Sequence, residues 1–274
     1  PDFPTGGYLI AGDGLKQAYE TGKGRIIIRS KVSIEKENNG KQSIIVTEIP
    51  YQVIKSTILE KIGQLMETKK EDFGGISDVV DESDRHGMRI VIKLKKDVDA
   101  NQMLNLLYKQ TNLQVSYSIN MVMIAEGKPQ QLGFLKILNY YTEYQKQVVL
   151  RRTKYDLDKA LARAHLVEGF LRALDIIDTV IALIRSSQTT EIARNRLMEE
   201  LDFSLEQAKS ILDMRLQRLT GLEREKLENE HKELMEKIAY LKTILADEKV
   251  LLGVIKEEIL MISNKYGDER RTAI

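Results

Sequence analysis

The distribution of proline is the feature of this 274-residue sequence that most limits its fold. All 4 prolines lie at or before Pro129, and glycine is sparse in the residues that follow. A proline inside a helix removes a backbone hydrogen bond and clashes with the preceding turn, so a long stretch without proline permits very long helices. The second half of the chain is therefore predicted to consist of long helices.

Apolar residues recur through this proline-free half at alternating spacings of three and four residues. The first run contains Val167, Phe170, Leu174, Ile177, Ile181 and Ile184. The second contains Leu227, His231, Leu234, Ile238, Leu241 and Leu245, and the pattern resumes at Leu252, Ile255, Ile259 and Ile262. A period of about 3.5 residues places one apolar stripe on one helix face, which is typical of paired coiled-coil helices. The sequence predicts two antiparallel arms of roughly 45 to 50 residues, each on the order of 70 Å long. His231, at a core position, is interpreted as a polar residue that sets the pairing register.

A short segment between the arms carries its own helix signals. Residues 186–190 (SSQTT) are polar and favour helix caps, and a short helix is predicted from Glu191 to Leu201. Ser204, followed three residues later by Gln207, matches a capping box that starts a further helix. This helix is more apolar than one buried stripe requires, so a second face is predicted to meet a partner. The candidate interface residues are Leu205, Ala208, Ile211, Leu212, Met214, Arg215, Leu216 and Leu219.

Residues 1–132 alternate between short helical and strand patterns. Helices are predicted at Gly14–Thr21, Lys55–Lys70 and Ala100–Lys109, and strands at Arg25–Ile34, Ser43–Ile49, Met88–Lys95 and Tyr117–Ile124. Asn38, Asn39 and Gly40 form a hairpin-turn signal between the first two strands, because Asn and Gly tolerate positive φ. This pattern predicts an α/β or α+β domain with a mixed or antiparallel sheet, and a mixed α+β class for the whole chain.

Local charge is more informative than net charge. Lys and Arg total 42 against 41 Asp and Glu, so the net charge identifies no partner. Lys23, Arg25, Arg29 and Lys31, however, share one face of the predicted strand by odd-number parity. Such a row suits the phosphate backbone of a nucleic acid, where it neutralises charge and releases counterions. An ordinary solvated strand face explains the same residues, and the sequence leaves both interpretations open.

The sequence contains no recognisable catalytic or metal-binding motif. The absence of cysteine excludes disulfides and thiol chemistry and suits a reducing cytoplasm. His86, His165 and His231 lack metal-ligand spacing. The acidic group at residues 78–84 (DVVDESD) offers oxygen ligands for Mg²⁺, but a hairpin connection into the next strand is the favoured interpretation. No apolar run of about 18 residues and no signal peptide are present, so a soluble protein is predicted.

Several segments, in order along the whole chain, carry a family resemblance. They are PDFPTGG, AYETGKGR, IIVTEIPYQV, DESDRHGMRIVI, LYKQTNLQVSYSINM, RRTKYDL, ILDMRLQRLTGLEREKL and GDERRTAI. On these segments the sequence resembles the A subunits of bacterial type IIA DNA topoisomerases. The unbroken LTGLEREKL is more similar to DNA gyrase than to topoisomerase IV, whose A-type subunit is the alternative.

The resemblance implies a domain order and a partner for the tip. Its domains would be a tower that flanks and bends the cleaved DNA (1–132), two coiled-coil arms (133–187 and 223–266), an all-α exit gate (188–222) and a terminal segment (267–274). In the family the exit gate is a twofold contact between A subunits, so the tip interface would meet its own copy.

The resemblance also places the family's chemistry outside this sequence. The nucleophilic tyrosine would precede Pro1, and a DNA-wrapping domain would follow Ile274. Mg²⁺ and ATP would be used by the partner B subunit of an A2B2 enzyme, so no cofactor is expected here. The expected partners are double-stranded DNA, a second copy and the B subunit, in the cytoplasm at the nucleoid and away from membranes. The chain alone is expected neither to cleave nor to supercoil DNA, and a structural coiled-coil dimeriser without a nucleic-acid role is the alternative from another class.

Overall fold

The computed structural model describes residues 1–36, 40–215 and 221–274. The chain divides into two compact units, Pro1–Tyr141 with Gly267–Ile274, and Thr142–Tyr266. The described residues combine helices with antiparallel sheets, which confirms the mixed α+β class. The finer boundaries of the tower, arms and gate stay predictions.

The order of secondary-structure elements follows the two halves of the sequence. The strands are β1 (Tyr8–Ile10), β2 (Lys23–Arg29), β3 (Lys31–Lys36), β4 (Gln42–Glu48), β5 (Ile76–Asp81), β6 (Ile90–Leu94), β7 (Gln114–Asn120), β8 (Val122–Ala125) and β9 (Lys128–Gln131). The helices among them are α1 (Asp13–Thr21), α2 (Lys55–Thr68), α3 (Lys70–Phe73) and α4 (Ala100–Gln110). The helices that follow are α5 (Phe134–Asp175), α6 (Ile177–Ser186), α7 (Thr190–Leu201), α8 (Leu205–Leu212), α9 (Gly221–Ala246) and α10 (Glu248–Tyr266).

The first unit contains two antiparallel sheets rather than one. Their strand orders are β1-β2-β7 and β3-β4-β6-β5, and β8 pairs with β9 in a separate ribbon. The predicted strand Arg25–Ile34 is wrong as a single element, because the chain leaves the first sheet at Ser30. Ser30 is fully buried and its N–H donates to the carbonyl oxygen of Leu113 at 2.8 Å. The following residue, Lys31, already belongs to the second sheet.

Two further strand predictions need correction. The predicted last strand divides at Met121, whose N–H donates to the Gly22 carbonyl oxygen at 2.7 Å, so β7 and β8 lie in different sheets. The acidic stretch before residue 82 is not only a connection, because Ile76–Asp81 is an edge strand paired with β6. Charged side chains are common on edge strands, where they discourage pairing with other chains. The predicted hairpin connection is confirmed by the antiparallel bridge between Asp84 and Gly87. The turn predicted at Asn38 and Asn39 lies outside the described residues.

The larger core of the first unit lies between the four-stranded sheet and helices α2 and α4. Its fully buried side chains include Ile44, Val46, Ile58, Ile62, Phe73, Ile90, Ile92, Leu107 and Leu113. A smaller core under the three-stranded sheet contains Phe3, Leu9, Ile26 and Ile28. Because even-numbered residues of β2 fill this core, its odd-numbered residues are left on the opposite face.

The terminal residues complete the first unit. Thr272 Oγ1 accepts a hydrogen bond from the Phe3 N–H at 2.8 Å, and the Thr272 N–H donates to Asp2 Oδ1 at 2.8 Å. The backbone of Ala273 bonds to Gly7 and Leu9 on either side. The hydrogen bonds from Thr272 and its neighbour hold the pKa of Asp2 below its ordinary value. The two ends of the chain are thus hydrogen-bonded to each other.

In the second unit, α5 and α9 contact each other in opposite residue order. Arg163 forms an ion pair with Glu230 at 2.5 Å, and Asp175 forms one with Arg224 at 2.6 Å. His231 is half-buried, and its Nε2 lies 3.1 Å from Glu168 Oε1 of α5. This polar contact joins the two helices, and the role of His231 in setting their register stays a prediction.

The predicted apolar seam agrees with the buried residues at some positions and not at others, because the helices are interrupted. α5 ends at Asp175 and α6 begins at Ile177, so the phase of the stripe changes there. Of the predicted first run, Val167 and Phe170 are buried, but in α6 the buried residues are Val180 and Leu183, and the predicted Ile181 is exposed.

The second interruption falls at Asp247, between α9 and α10. Asp247 Oδ1 accepts a hydrogen bond from the Lys249 N–H at 2.8 Å, which caps the new helix. After this break the buried residues are Leu251 and Ile255, which pack with Val149. The predicted seam positions Leu245, Leu252, Ile259 and Ile262 are exposed. The ion pairs Lys146–Glu248 and Arg152–Glu258 rise together in residue number, so α10 contacts α5 in the opposite sense from α9.

Candidate functional site

The outward face of the β1-β2-β7 sheet carries most of the predicted cationic row. Lys23 and Arg25 are exposed and Arg29 is half-buried, and all three lie on the face of β2 opposite the core. Ile27, between the two arginines, is 39% exposed on the same face. This face is therefore not a purely charged surface, because an apolar side chain separates the cations.

Neighbouring side chains hold the two arginines in place. Arg25 Nε donates a hydrogen bond to Ser116 Oγ on β7. Arg29 Nε donates to Gln114 Oε1 at 2.6 Å, and the register places Gln114 directly opposite Arg29. The Arg29 guanidinium also lies 4.7 Å from the centre of the Tyr108 ring, within the range of a cation–π contact. Both guanidinium groups are thus oriented by neutral partners that leave their charge uncompensated.

Three of the four predicted cations lack an acidic partner. No carboxylate in the described part of the chain forms an ion pair with Lys23, Arg25 or Arg29. Lys31 differs, since it belongs to the second sheet and forms an ion pair with Glu48 at 3.3 Å. The structure therefore brings Lys23, Arg25 and Arg29 together and separates Lys31 from them.

The structure also adds residues that the sequence did not single out. A cavity of about 530 Å³ lies beside Arg29 and is lined by Arg29, Gln102, Asn105, Leu106, Tyr108, Lys109 and Gln114. Burial raises the pKa of Tyr108, and Arg29 partly opposes that effect. The only sequence signal for this cavity is the spacing of the polar residues along α4, and nothing local connects them with Arg29.

Helix α8 has the predicted capping box and buries two of the predicted interface residues. The capping box is confirmed: Ser204 Oγ accepts from the Gln207 N–H at 3.2 Å, and Gln207 Oε1 accepts from the Ser204 N–H at 3.1 Å. Ala208 and Ile211 are buried in the core of the second unit, where they pack against other helices of the same chain. Leu205 is 37% exposed.

The remaining interface candidates lie at the end of the tip helix. Leu212 and Met214 are half-buried, Arg215 is exposed, and Leu216 and Leu219 lie outside the described residues. α8 ends at Leu212, so Met214 and Arg215 follow the helix rather than extending its face. A cavity of about 400 Å³ is lined by Ile177, Val180, Ile181, Ile184, Arg185, Ile211, Leu212, Met214 and Arg215.

The acidic group of residues 78–84 takes part in ion pairs and turn hydrogen bonds. Asp81 Oδ2 lies 2.6 Å from Lys55 Nζ, and Asp81 Oδ1 accepts hydrogen bonds from Ser83. Lys55 and Ser83 together lower the pKa of Asp81 to about 2. Asp84 Oδ1 accepts from the His86 N–H at 2.8 Å. Asp81 and Asp84 thus accept hydrogen bonds from donors of the protein itself.

Neither a metal centre nor a membrane span is found among the residues that the structure covers. Within 1–36, 40–215 and 221–274, no three His, Cys, Asp or Glu side chains group in a way that suits a metal ion. Over the same ranges, no helix combines the length and apolar composition that a bilayer crossing requires.

Comparison with known proteins identifies the family. The model of the family described as DNA gyrase/topoisomerase IV, A subunit, matches residues 1–260. The sequence is 57% identical over 274 residues to the DNA gyrase A subunit of Halalkalibacterium halodurans, covering 100% of this chain and 32% of the relative. It is 54% identical over 274 residues to that of Clostridium acetobutylicum, covering 100% of this chain and 33% of the relative. It is 50% identical over 275 residues to that of Staphylococcus epidermidis, covering 100% of this chain and 31% of the relative. The chain thus spans about a third of the length of these curated relatives, and it belongs to the family of DNA gyrase/topoisomerase IV A subunits.

Proposed function

We propose that this chain is the tower, coiled-coil and exit-gate portion of a DNA gyrase A subunit. The observation that carries the proposal is the family match over residues 1–260, together with relatives that are each named as the A subunit of DNA gyrase. In this proposal the chain supports DNA bending, dimerisation and strand passage within the larger enzyme. Cleavage and ATP-dependent supercoiling belong to the complete enzyme with its B subunit, Mg²⁺ and ATP, and the chain alone performs neither.

The proposed DNA contact rests on the three uncompensated cations of β2. Elsewhere on the surface, cations such as Lys55 and Arg196 are paired with carboxylates. A charge that is already paired gains little from a phosphate, whereas an unpaired one neutralises the phosphate and releases its counterion. Lys23, Arg25 and Arg29, three such cations on one face of β2, therefore suit the backbone of a duplex.

Binding of a labelled duplex, measured by fluorescence anisotropy between about 50 and 200 mM salt, tests this contact. Replacing Arg25 and Arg29 together by alanine is expected to weaken binding and to reduce the slope of log affinity against log salt by about 1.8, or 0.9 per lost phosphate contact. Lys31→Ala is the matched control, because Lys31 is neutralised by Glu48. Absence of salt-dependent binding by the unsubstituted chain would support the structural dimeriser instead.

The proposed gate contact rests on the end of the tip helix. The cavity beside Leu212, Met214 and Arg215 is lined by seven apolar residues and two arginines, and apolar surface that is buried on association favours a dimer. In a twofold contact the same surface is used by both copies, so one substitution acts twice. The coiled-coil arrangement of α5 and α9 is proposed from their opposed ion pairs and shared apolar contacts.

Sedimentation at micromolar concentration tests the gate. Leu212→Glu and Arg215→Glu are each expected to shift the chain from dimer to monomer. Ile192→Glu serves as the control, because Ile192 is an exposed apolar residue of α7 that does not line the cavity. Circular dichroism confirms that each variant is folded, and a monomeric unsubstituted chain contradicts the gate assignment.

A further inference from the structure

We propose that the cleft between α4 and the end of β2 is a phosphodiester-binding site of this protein, in which Arg29 and Lys109 hold a backbone phosphate of duplex DNA. The inference rests on the proposed DNA contact and extends it from one strand to a helix that the sequence did not connect with it. Of the two cavities described above, this one is lined by two cations that form no ion pair with a described acidic residue, together with three side-chain amides.

One face of α4 is dedicated to the cleft. Gln102, Asn105, Leu106 and Lys109 follow the spacing of three and four residues that places side chains on one side of a helix. The opposite side of α4 is buried in the core of the first unit through Ala100, Met103 and Leu107. The core therefore fixes the rotation of α4, and that rotation presents amide and ammonium groups to the cleft.

Arg29 is oriented as a donor toward this space. Its Nε donates to Gln114 Oε1, and its guanidinium carbon lies 4.7 Å from the centre of the Tyr108 ring. Among the described residues, no acceptor is hydrogen-bonded to its two terminal nitrogens. A planar guanidinium fixed in this way keeps a pair of donors for two oxygens of one phosphate, which is the geometry that distinguishes Arg from Lys.

The remaining lining suits an anion and has no competing carboxylate. Lys109 is exposed and forms no ion pair with a described acidic residue. The amides of Gln102, Asn105 and Gln114 are neutral. Burial raises the pKa of Tyr108, so its phenol stays uncharged near neutral pH and adds no negative charge to the cleft. Every charged group that lines the cavity is therefore positive.

The shape and position of the cleft favour a nucleic-acid backbone over a small free anion. Gln102, Asn105 and Lys109 are exposed, so the cleft is open along its length and does not enclose a ligand. Arg29 lies four residues from Arg25 on the same strand, which at about 3.4 Å per residue is roughly 14 Å. A duplex advances about 3.4 Å per base along each strand, so a duplex aligned with β2 reaches Arg25 and the cleft about four nucleotides apart.

The decisive experiment is duplex binding by the whole chain as a function of salt, with three variants. Lys109→Ala is expected to weaken binding several-fold and to lower the salt slope by less than the roughly 0.9 of a whole phosphate, because Arg29 still contacts the same phosphate. Arg29→Lys keeps the charge but loses the paired donors, so affinity is expected to fall with little change of slope. Lys61→Ala, on an exposed part of α2, removes one charge from the same unit and is expected to leave both quantities unchanged.

The outcomes separate this inference from the proposed function. If the unsubstituted chain does not bind duplex, the proposed DNA contact itself fails. If it binds and the Lys109 and Arg29 variants match Lys61→Ala, the cleft assignment fails while the DNA contact stands. Calorimetry with inorganic phosphate and with ATP tests whether the cleft binds a small free phosphate compound rather than the DNA backbone. Tight binding of either that is lost in Lys109→Ala, with duplex binding unchanged, overturns the backbone assignment.

Discussion

Replacing Gly14 by alanine tests how α1 supports the cationic face. Gly14 lies in the first turn of α1, and a Cβ at this position would lie 1.9 Å from the carbonyl oxygen of Arg25. Favourable contacts between heavy atoms lie at about 3.5 Å or more, so α1 and β2 would have to separate by about 1.5 Å. The obstacle is main chain, which cannot rotate away as a flexible side chain does.

We expect Gly14→Ala to lower the free energy of unfolding of the first unit by about 1–3 kcal/mol, the range for overpacked sites. The contact cannot relax along the strand, because Gly24 of β2 is equally close: a Cβ there would lie 2.1 Å from the Gly14 carbonyl oxygen. A displaced β2 also moves Arg25 away from Ser116. Duplex affinity is therefore expected to fall together with stability.

Gly63 provides the matched control. It lies inside α2, and no heavy atom would lie within 4 Å of a Cβ built there. Gly63→Ala is therefore expected to stabilise the unit by roughly 0.5–1 kcal/mol, as alanine loses less backbone freedom in a helix. Hydrogen exchange of the β2 amides, followed by mass spectrometry, reports the free energy of opening of this sheet. The reasoning is refuted if these amides exchange no faster in Gly14→Ala than in the unsubstituted chain.

Two further predictions concern single side chains. Lys55 and Ser83 lower the pKa of Asp81 to about 2. The ionised Asp81 therefore stabilises the folded chain at pH values above its ordinary pKa of 3.8, and this stabilisation is lost as the pH falls through about 2. Asp81→Asn should therefore be less stable than the unsubstituted chain at neutral pH, and denaturation curves should converge near pH 2; a constant difference at all pH values contradicts this origin. Ser204→Ala removes half of the capping box with Gln207 and is expected to cost about 1 kcal/mol, measured by denaturant unfolding, while an unchanged midpoint would show that the cap is dispensable.

Local signals in the sequence were sufficient for several elements. Ser204 and Gln207 interact over three residues, so their capping box could be predicted without knowing the fold. The parity of Arg25 and Arg29 on one strand face is also local, because successive side chains of a strand point to opposite sides. The order of the motifs along the chain was sufficient for the family, which the comparisons confirm.

Interruptions of helices and strands could not be predicted in the same way. The seam prediction assumed a continuous helix through Asp247, and one break changed which residues are buried after it. Ser30 similarly interrupts the predicted strand Arg25–Ile34, because its N–H donates to the carbonyl oxygen of Leu113, which is distant in sequence. A run of residues with good local propensity does not indicate where a distant partner will end it.

The sequence by itself determined the family, the mixed α+β class, the long helices and the cap of α8, because each depends on composition or on residues a few positions apart. Only the tertiary structure decided that Lys31 is separated from Arg29, that Ala208 and Ile211 face inward, and that Lys109 lies beside Arg29. These facts depend on the register of strands and the rotation of helices against a core. Such packing is set by contacts between residues that are distant along the chain, so no local pattern encodes it.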